Sequence, residues 1–368
     1  DRFFLDPGHM SPMLYSVLAL TGKYNMNELS QFRQWGSPTP GHPEVDVMRG
    51  VENTSGPLGQ GHTFAVGAAI AAKFLKARFG EVMNQTIYAY ISDGGVQEEI
   101  SQGSGRIAGH LGLDNLVMFY DSNDIQLSTE TDAVTSEDVA KKYEAWNWKV
   151  ITINGNDPDA IRAALKEAKA TEKQPTLIIG KTIMGKGARK ADNSSFESNC
   201  ATHGAPLGGD AYKNTIINLG GNPENPFVIF PEVAELYAKR AKELESIVAE
   251  KYAAKANWAK ANPELVRTIA KIALHLIMFK VAMLGLRLTT NLFFSAIVGL
   301  LAGITKLTIM LWLINKVADR FGIRLPTRLS VIAKGIRLLG QAFIFLARQA
   351  IPLVIRSLIA MSASLLAN

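Results

Sequence analysis

Between about residues 86 and 200 the chain alternates two hydrophobic patterns. Short apolar runs rich in β-branched and aromatic residues, TIYAYIS, NLVMFYD, WKVITIN and TLIIGKTI, are separated by longer stretches with apolar positions at helical spacing: EEISQGSGRIAGHL, SEDVAKKYEAW and DPDAIRAALKEAKAT. The short runs read as strands and the longer stretches as helices. Strands joined through helices run parallel, and a parallel sheet needs helices on both faces to bury it. The expected fold is therefore α/β, a doubly wound parallel sheet. Upstream, SGPLGQGHTFAVGAAIAAKFLKARFG passes from a Gly/Pro-rich loop into an Ala-rich helix that would lie on this sheet. Downstream, GNPENPFVIFPEV is a loop that leads into a charged helix expected to stop near Asn262-Pro263. These signals predict one domain over residues 1–262 and a second segment over 263–368.

Charge separates the same two regions. Residues 1–264 carry 26 Lys and Arg against 32 Asp and Glu, whereas residues 265–368 carry 13 against 1. The basic excess belongs to the tail, so it is no sign that the body binds nucleic acid, and no nucleic-acid partner is expected. The single cysteine, Cys200, cannot form an internal disulfide and fits a reducing, cytoplasmic setting. The opening DRFFLDPGHM has neither an initiator methionine nor a signal-peptide pattern, and the chain is expected to begin inside a longer protein.

Chemistry concentrates where strands end. Ligands of an open parallel sheet bind beyond the carboxyl ends of its strands. TIYAYIS ends on Ser92-Asp93-Gly94-Gly95, and one crossover later NLVMFYD ends on Asp121-Ser122-Asn123. A βαβ unit should set Asp93 beside Asn123, and a carboxylate, an amide oxygen and a backbone carbonyl suit Mg²⁺. Gly94 and Gly95 would let the backbone approach a phosphate, ahead of a helix starting near Glu98. Two other glycine patterns are set aside. Gly103-Ser-Gly105-Arg-Ile-Ala-Gly109 has the wrong spacing for a dinucleotide fingerprint, and Met184-Gly-Lys-Gly lacks the hydroxyl that a phosphate loop places after its lysine.

The segment SDGGVQEEIS…YDSNDI resembles the thiamine-diphosphate motif of the transketolases, which reads Gly-Asp-Gly followed one crossover later by Asn. Ser92 stands in place of the first glycine. GHMSPMLYSVLALTG, FRQWGSPTPGHPE, VENTSGPLGQG, EDVAKKYEAWNW, PTLIIGKTIMGKG and THGAPLG extend the resemblance over most of residues 1–262. The likeness implies that Asp93, Asn123 and the carbonyl of Ile125 hold Mg²⁺, or Ca²⁺ or Mn²⁺, with Gly94 against the diphosphate. It also implies that Gly56 and Leu58 line the rest of thiamine diphosphate and that Glu98 is buried at a subunit interface. His9, His42 and His203 fall in family motifs and become the candidate catalytic groups, since imidazoles can donate to phosphate or sugar hydroxyls and move protons. His62 and His110 are left out of the site, and His275 reads as structural.

The implied activity is transfer of a two-carbon ketol unit between phosphorylated sugars in the pentose phosphate pathway. A second domain of the family, which supplies a glutamate across a dimer interface, has no counterpart here. The chain is expected to be inactive alone and to need a homodimer with that domain or a separate pyrimidine-domain subunit. The tail matches nothing in the family. Its longest charge-free run, 288–305, reaches the lower limit for a membrane span. Three readings stay open: basic apolar helices on an anionic membrane, one marginal span, or a non-native helical continuation. The rival to the enzyme is a non-catalytic protein attached to a membrane through residues 265–368.

Overall fold

The computed structural model describes residues 1–269, 271–273, 276 and 280. The expectations for the tail, including the 288–305 run and His275, lie outside these residues. Contacts group residues 1–261 into one compact unit and 262–368 into another, and the first unit carries the fold.

In chain order the elements are β1 (Arg2–Leu5), α1 (Ser11–Leu20), α2 (Met26–Ser30), α3 (Gln60–Phe79), β2 (Ile87–Ser92), α4 (Asp93–Gln97), α5 (Glu99–His110), β3 (Leu116–Ser122), α6 (Val139–Ala145), β4 (Lys149–Asn154), α7 (Pro158–Ala170), β5 (Thr176–Lys181), α8 (Gly209–Asn218) and α9 (Pro231–Ala261). The five strands form one sheet in the order β1-β2-β3-β5-β4, every neighbouring pair parallel. The four apolar runs are β2 to β5, and the helical stretches between them are α4 to α7. The four residues of β1 are too few for a period to show, so nothing in the apolar pattern marks them as a strand.

Local chemistry fixes the helix ends. Asp157 accepts hydrogen bonds from the backbone N–H groups of Asp159 and Ala160 and Pro158 occupies the first turn, which starts α7. Asp138 caps α6 through the N–H of Lys141. α9 ends at Ala261 as expected, but Pro263 opens a new helical stretch instead of only closing the old one. Proline suits a first helical position because the N–H it lacks has no partner there.

Alternation along the strands gives the sheet two faces. Phe4, Ile87, Ala89, Ile91, Leu116 and Met118 point to one, where α3, α5 and α6 cover them and complete the main core. Val117 and Ile178 point to the other and pack on Ala164 and Ala168 of α7. Helices thus lie on both faces. No helix of the described residues is long and apolar enough to cross a membrane.

Candidate functional site

The carboxyl ends of β1, β2 and β3 lie side by side, and each has an aspartate within one residue of its last position: Asp6, Asp93 and Asp121. Ser92 is paired with Asp121, so the crossover through α4 and α5 sets residue 93 against the segment that follows β3. Asp93 is almost wholly buried. One carboxylate oxygen accepts the Tyr120 hydroxyl at 2.6 Å, and the other accepts the backbone N–H groups of Asn123 at 3.1 Å and Asp124 at 3.2 Å. Just beyond these two amides the chain turns at Asp124, which adopts a left-handed conformation, φ 64°. The Asn123 side-chain oxygen accepts from Ile125 N–H at 3.1 Å and pins the same turn.

Burial drives the Asp93 carboxyl up to about 6; the bonds from Tyr120 and Asn123 oppose the shift, and the charges of Asp124 and Asp121 add to it. A buried carboxylate with two like charges nearby is an anionic surplus that a divalent cation would relieve. The expected donors, an Asp, an Asn and a backbone carbonyl, are hard oxygens, a set whose chemistry fits Mg²⁺ that completes its shell with phosphate and water. Among the described residues no cluster of three or more His, Cys, Asp or Glu offers an alternative metal centre.

The glycines divide differently from the expectation. The helix expected near Glu98 is α5, which starts at Glu99 with Glu98 as its extended N-cap, and a further short helix, α4, begins at Asp93 and carries both glycines. This phase turns Gly95 into the core, where a Cβ would lie 2.5 Å from an Asp6 carboxylate oxygen and 2.8 Å from Ile91. Gly95 is small for packing, not for approach to a phosphate. Gly94 faces outward and meets only the end of Leu58, 3.2 Å from where a Cβ would sit. Ser92 has φ −116°, ordinary extended backbone, so replacing a glycine there requires no special conformation.

Leu58 belongs to the turn that starts α3, and its anchor is Asp6. The Asp6 carboxylate, fully buried, accepts Gly59 N–H at 3.1 Å and His62 N–H at 3.2 Å, serving as a helix cap supplied by a neighbouring strand. Burial raises its pKa, while the bonds from Gly59, His62 and Gly61 lower it. Gly59 has φ 83°, and a Cβ on it would strike Glu98 at 2.8 Å. Gly56 is exposed with nothing close to it, and Glu98 is exposed at the break between α4 and α5.

Three histidines converge from three loops. His9, after β1, stacks on His203 with ring centroids 5.0 Å apart, and His42 approaches so closely that a Cβ on Gly8 would lie 2.5 Å from its ring. Burial, with the charges of His203 and His42, lowers His9 to about 4 against an opposing pull from Asp121. Burial also lowers His203. Near neutral pH His9 is an uncharged imidazole.

Asp6, Tyr120 and Asp121 were not among the sequence candidates. Asp121 accepts the Tyr90 hydroxyl at 3.0 Å and the Thr182 hydroxyl, and its charge reaches both His9 and Asp93. One signal could have found the acids: RFFLD, IYAYISD and LVMFYD all close an apolar run on aspartate. The dismissed Gly105 and Gly109 are helix-packing positions against Trp146. His110 is exposed at the end of α5, and His62 is wholly buried away from solvent.

Comparison with known proteins adds the following. The family model described as "Transketolase, thiamine diphosphate binding domain" matches residues 1–275. The transketolase of Staphylococcus epidermidis is 41% identical over 294 residues, covering 77% of this chain and 42% of that protein. That of Streptococcus pyogenes is 47% identical over 216 residues, 57% of this chain and 29% of that one. Among solved structures, the transketolase from Leishmania mexicana superposes with a TM-score of 0.67 at 35% identity, over 72% of this chain and 39% of its own. The Campylobacter jejuni transketolase does so with a TM-score of 0.63 at 37% identity, over 73% and 41%. The chain thus spans well under half the length of these relatives.

Proposed function

The chain belongs to the transketolase family through its thiamine-diphosphate-binding domain, and from that premise we propose that residues 1–262 form the half of a transketolase site that holds the cofactor's diphosphate and a Mg²⁺ ion. The observation that carries this reading is the buried Asp93 carboxylate facing the Asn123–Ile125 turn across one crossover. In this reading Asp93, Asn123 and the Ile125 carbonyl hold the metal, and Gly94 presents open backbone to the diphosphate. Leu58 and Gly56 border the remainder of the cofactor. When bound, thiamine diphosphate supplies the carbon nucleophile that such transfer needs.

The chain's own part is positioning and proton handling. His9 and His203 have pKa values lowered by burial, so near neutral pH each offers an uncharged imidazole that can accept a proton from a sugar hydroxyl. His42, the exposed member, can donate to a phosphate or hydroxyl at the mouth. The substrates are phosphorylated sugars of the pentose phosphate pathway, and the setting is the cytoplasm.

The proposed assembly is a dimer. Ile100 and Ile107 of α5 and its C-cap residue Leu111 form an exposed stripe at helical spacing, and Phe64, Ile70 and Phe74 on α3 and Glu98 are exposed as well. Such a face suits a second copy or a subunit that carries the complementary half of the site. The isolated chain is inactive in this reading, in which none of the described residues is assigned to protonate the cofactor's aminopyrimidine.

Titration calorimetry with thiamine diphosphate tests the binding half: heat should appear with Mg²⁺ and vanish with chelator. A folded sample showing no metal-dependent uptake overturns the assignment. Ketol transfer assayed on the isolated chain should give no turnover, and turnover would refute the claim of inactivity.

A further inference from the structure

Asn123 and Ile125, two of the expected metal donors, flank Asp124, so the backbone angles of Asp124 set how those donors stand relative to each other. Asp124 has φ 64°, a region where glycine rests freely and a residue with a Cβ does not, although aspartate tolerates it better than most. Its hydrogen bonds keep it there. The Asp124 N–H donates to Asp93 at 3.2 Å, its carbonyl accepts the Thr131 N–H at 3.0 Å, and its carboxylate accepts the Lys181 ammonium at 3.1 Å. Rotation about the Asp124 N–Cα bond moves the carboxylate and Ile125 together, so a group that holds the carboxylate also holds φ.

Strand register brings the lysine to the turn. Lys181 is the last residue of β5 and pairs with Ser122, the last residue of β3. Its ammonium also donates to the Ser122 hydroxyl at 2.8 Å, so one side chain spans the strand end and the residue two positions beyond it. Thr182, next in the chain, donates its N–H to the Ser122 carbonyl at 3.1 Å and its hydroxyl to Asp121. The end of β5 thus fixes the base of the turn through Thr182 and its middle through Lys181.

We propose, on the reading of this turn as the Mg²⁺ site, that Lys181 is a positioning residue: by gripping the Asp124 carboxylate it fixes the left-handed turn that sets Ile125 against Asn123. The Lys181 and Asp124 side chains are 54% and 64% exposed, so the pair adds little to global stability and its effect is local. Charge alone would act with the opposite sign, since removing a cation from the surroundings of a divalent metal favours the metal.

The test compares the full chain with Lys181→Met, which keeps an unbranched side chain and removes both of its hydrogen bonds. The Ile125 amide, bonded to the Asn123 side chain, and the Thr131 amide, bonded to the Asp124 carbonyl, should exchange hydrogen about fivefold faster. Amides within β3 and β5 should keep their rates. In calorimetry with thiamine diphosphate in excess, the Mg²⁺ concentration for half-saturation should rise about fivefold, equivalent to about 1 kcal/mol. In an Asp124→Gly background, where the turn needs no grip on a side chain, K181M should add no more than about twofold to either quantity. Unchanged exchange at the two amides, faster exchange spread over the whole sheet, or a full K181M effect in the glycine background overturns the proposal. So does a Mg²⁺ requirement that stays the same or falls. A parent chain without any Mg²⁺-dependent uptake sinks the reading of the site itself, and the exchange rates then decide separately whether Lys181 holds the turn.

Discussion

Two neighbouring strand ends bury an aspartate and put it to different uses. Asp6, after β1, faces the first turn of α3, and both of its oxygens are taken by backbone N–H groups there. Gly61 and Gly95 press so close to it that a Cβ on either would lie within 2.5 Å of Asp6 atoms. Asp93, after β2, accepts a phenol and the two amides of a turn, with Gly94 open beside it. Enclosure makes Asp6 a structural cap. The open flank, together with the like charges of Asp124 and Asp121, makes Asp93 a group that gains from a ligand.

The largest effect expected from this contrast is on stability at Asp6. Asp6→Ala leaves two buried N–H groups without an acceptor, at about 1–3 kcal/mol each, so urea denaturation should show a loss of about 3 kcal/mol. Asp93→Asn should do the converse. The amide keeps an acceptor in a place that already disfavours charge, and stability should stay within about 1 kcal/mol. Mg²⁺-dependent uptake of thiamine diphosphate should fall at least about 100-fold, equivalent to about 2.7 kcal/mol. If Asp6→Ala proves harmless to folding, or Asp93→Asn unfolds the chain and spares binding, the distinction fails.

The two strand ends were also unequally legible. Asp93 and Asn123 could be read because acid and amide types follow long apolar runs at one-crossover spacing, and chain topology alone then pairs them. Asp6 could not, because its strand has four residues and its partners lie 53 and 56 positions away. The Gly94-Gly95 pair was visible as a pair, yet which of the two faces the core depends on helical phase. That phase follows from α4, a short helix starting at Asp93 ahead of the expected one near Glu98. Substitution separates the two positions. Gly95→Ala should cost about 2 kcal/mol, because overpacking against Asp6 and Ile91 outweighs the gain of up to about 1 kcal/mol from removing a helical glycine. Gly94→Ala, meeting only the flexible end of Leu58, should leave stability within about 0.5 kcal/mol of the parent.

An effect smaller than that at Gly95 concerns acid, and it also probes the Asp6 end. His62 donates its backbone N–H to Asp6, while its ring is fully buried, with Nδ1 bonded to the Ser101 hydroxyl and Nε2 without a partner among the described residues. Burial pushes its pKa down to about 3 from an ordinary value of 6.5. Between those values the unfolded chain takes up a proton that the folded chain refuses, so stability is full above 6.5 and falls as pH drops through the window. One proton gives a slope of at most about 1.4 kcal/mol per pH unit. The buried carboxyls act oppositely: their raised pKa values favour the folded state in acid, so the parent's own pH curve mixes both trends. His62→Phe keeps a ring beside Trp148 and removes this titration alone. Whatever the absolute stability of the variant, its loss between pH 6.5 and 5.5 should be smaller than the parent's by about 1 kcal/mol. Parallel curves in urea titrations at the two pH values would mean that water reaches the ring and that the Asp6 end is less enclosed than its packing requires.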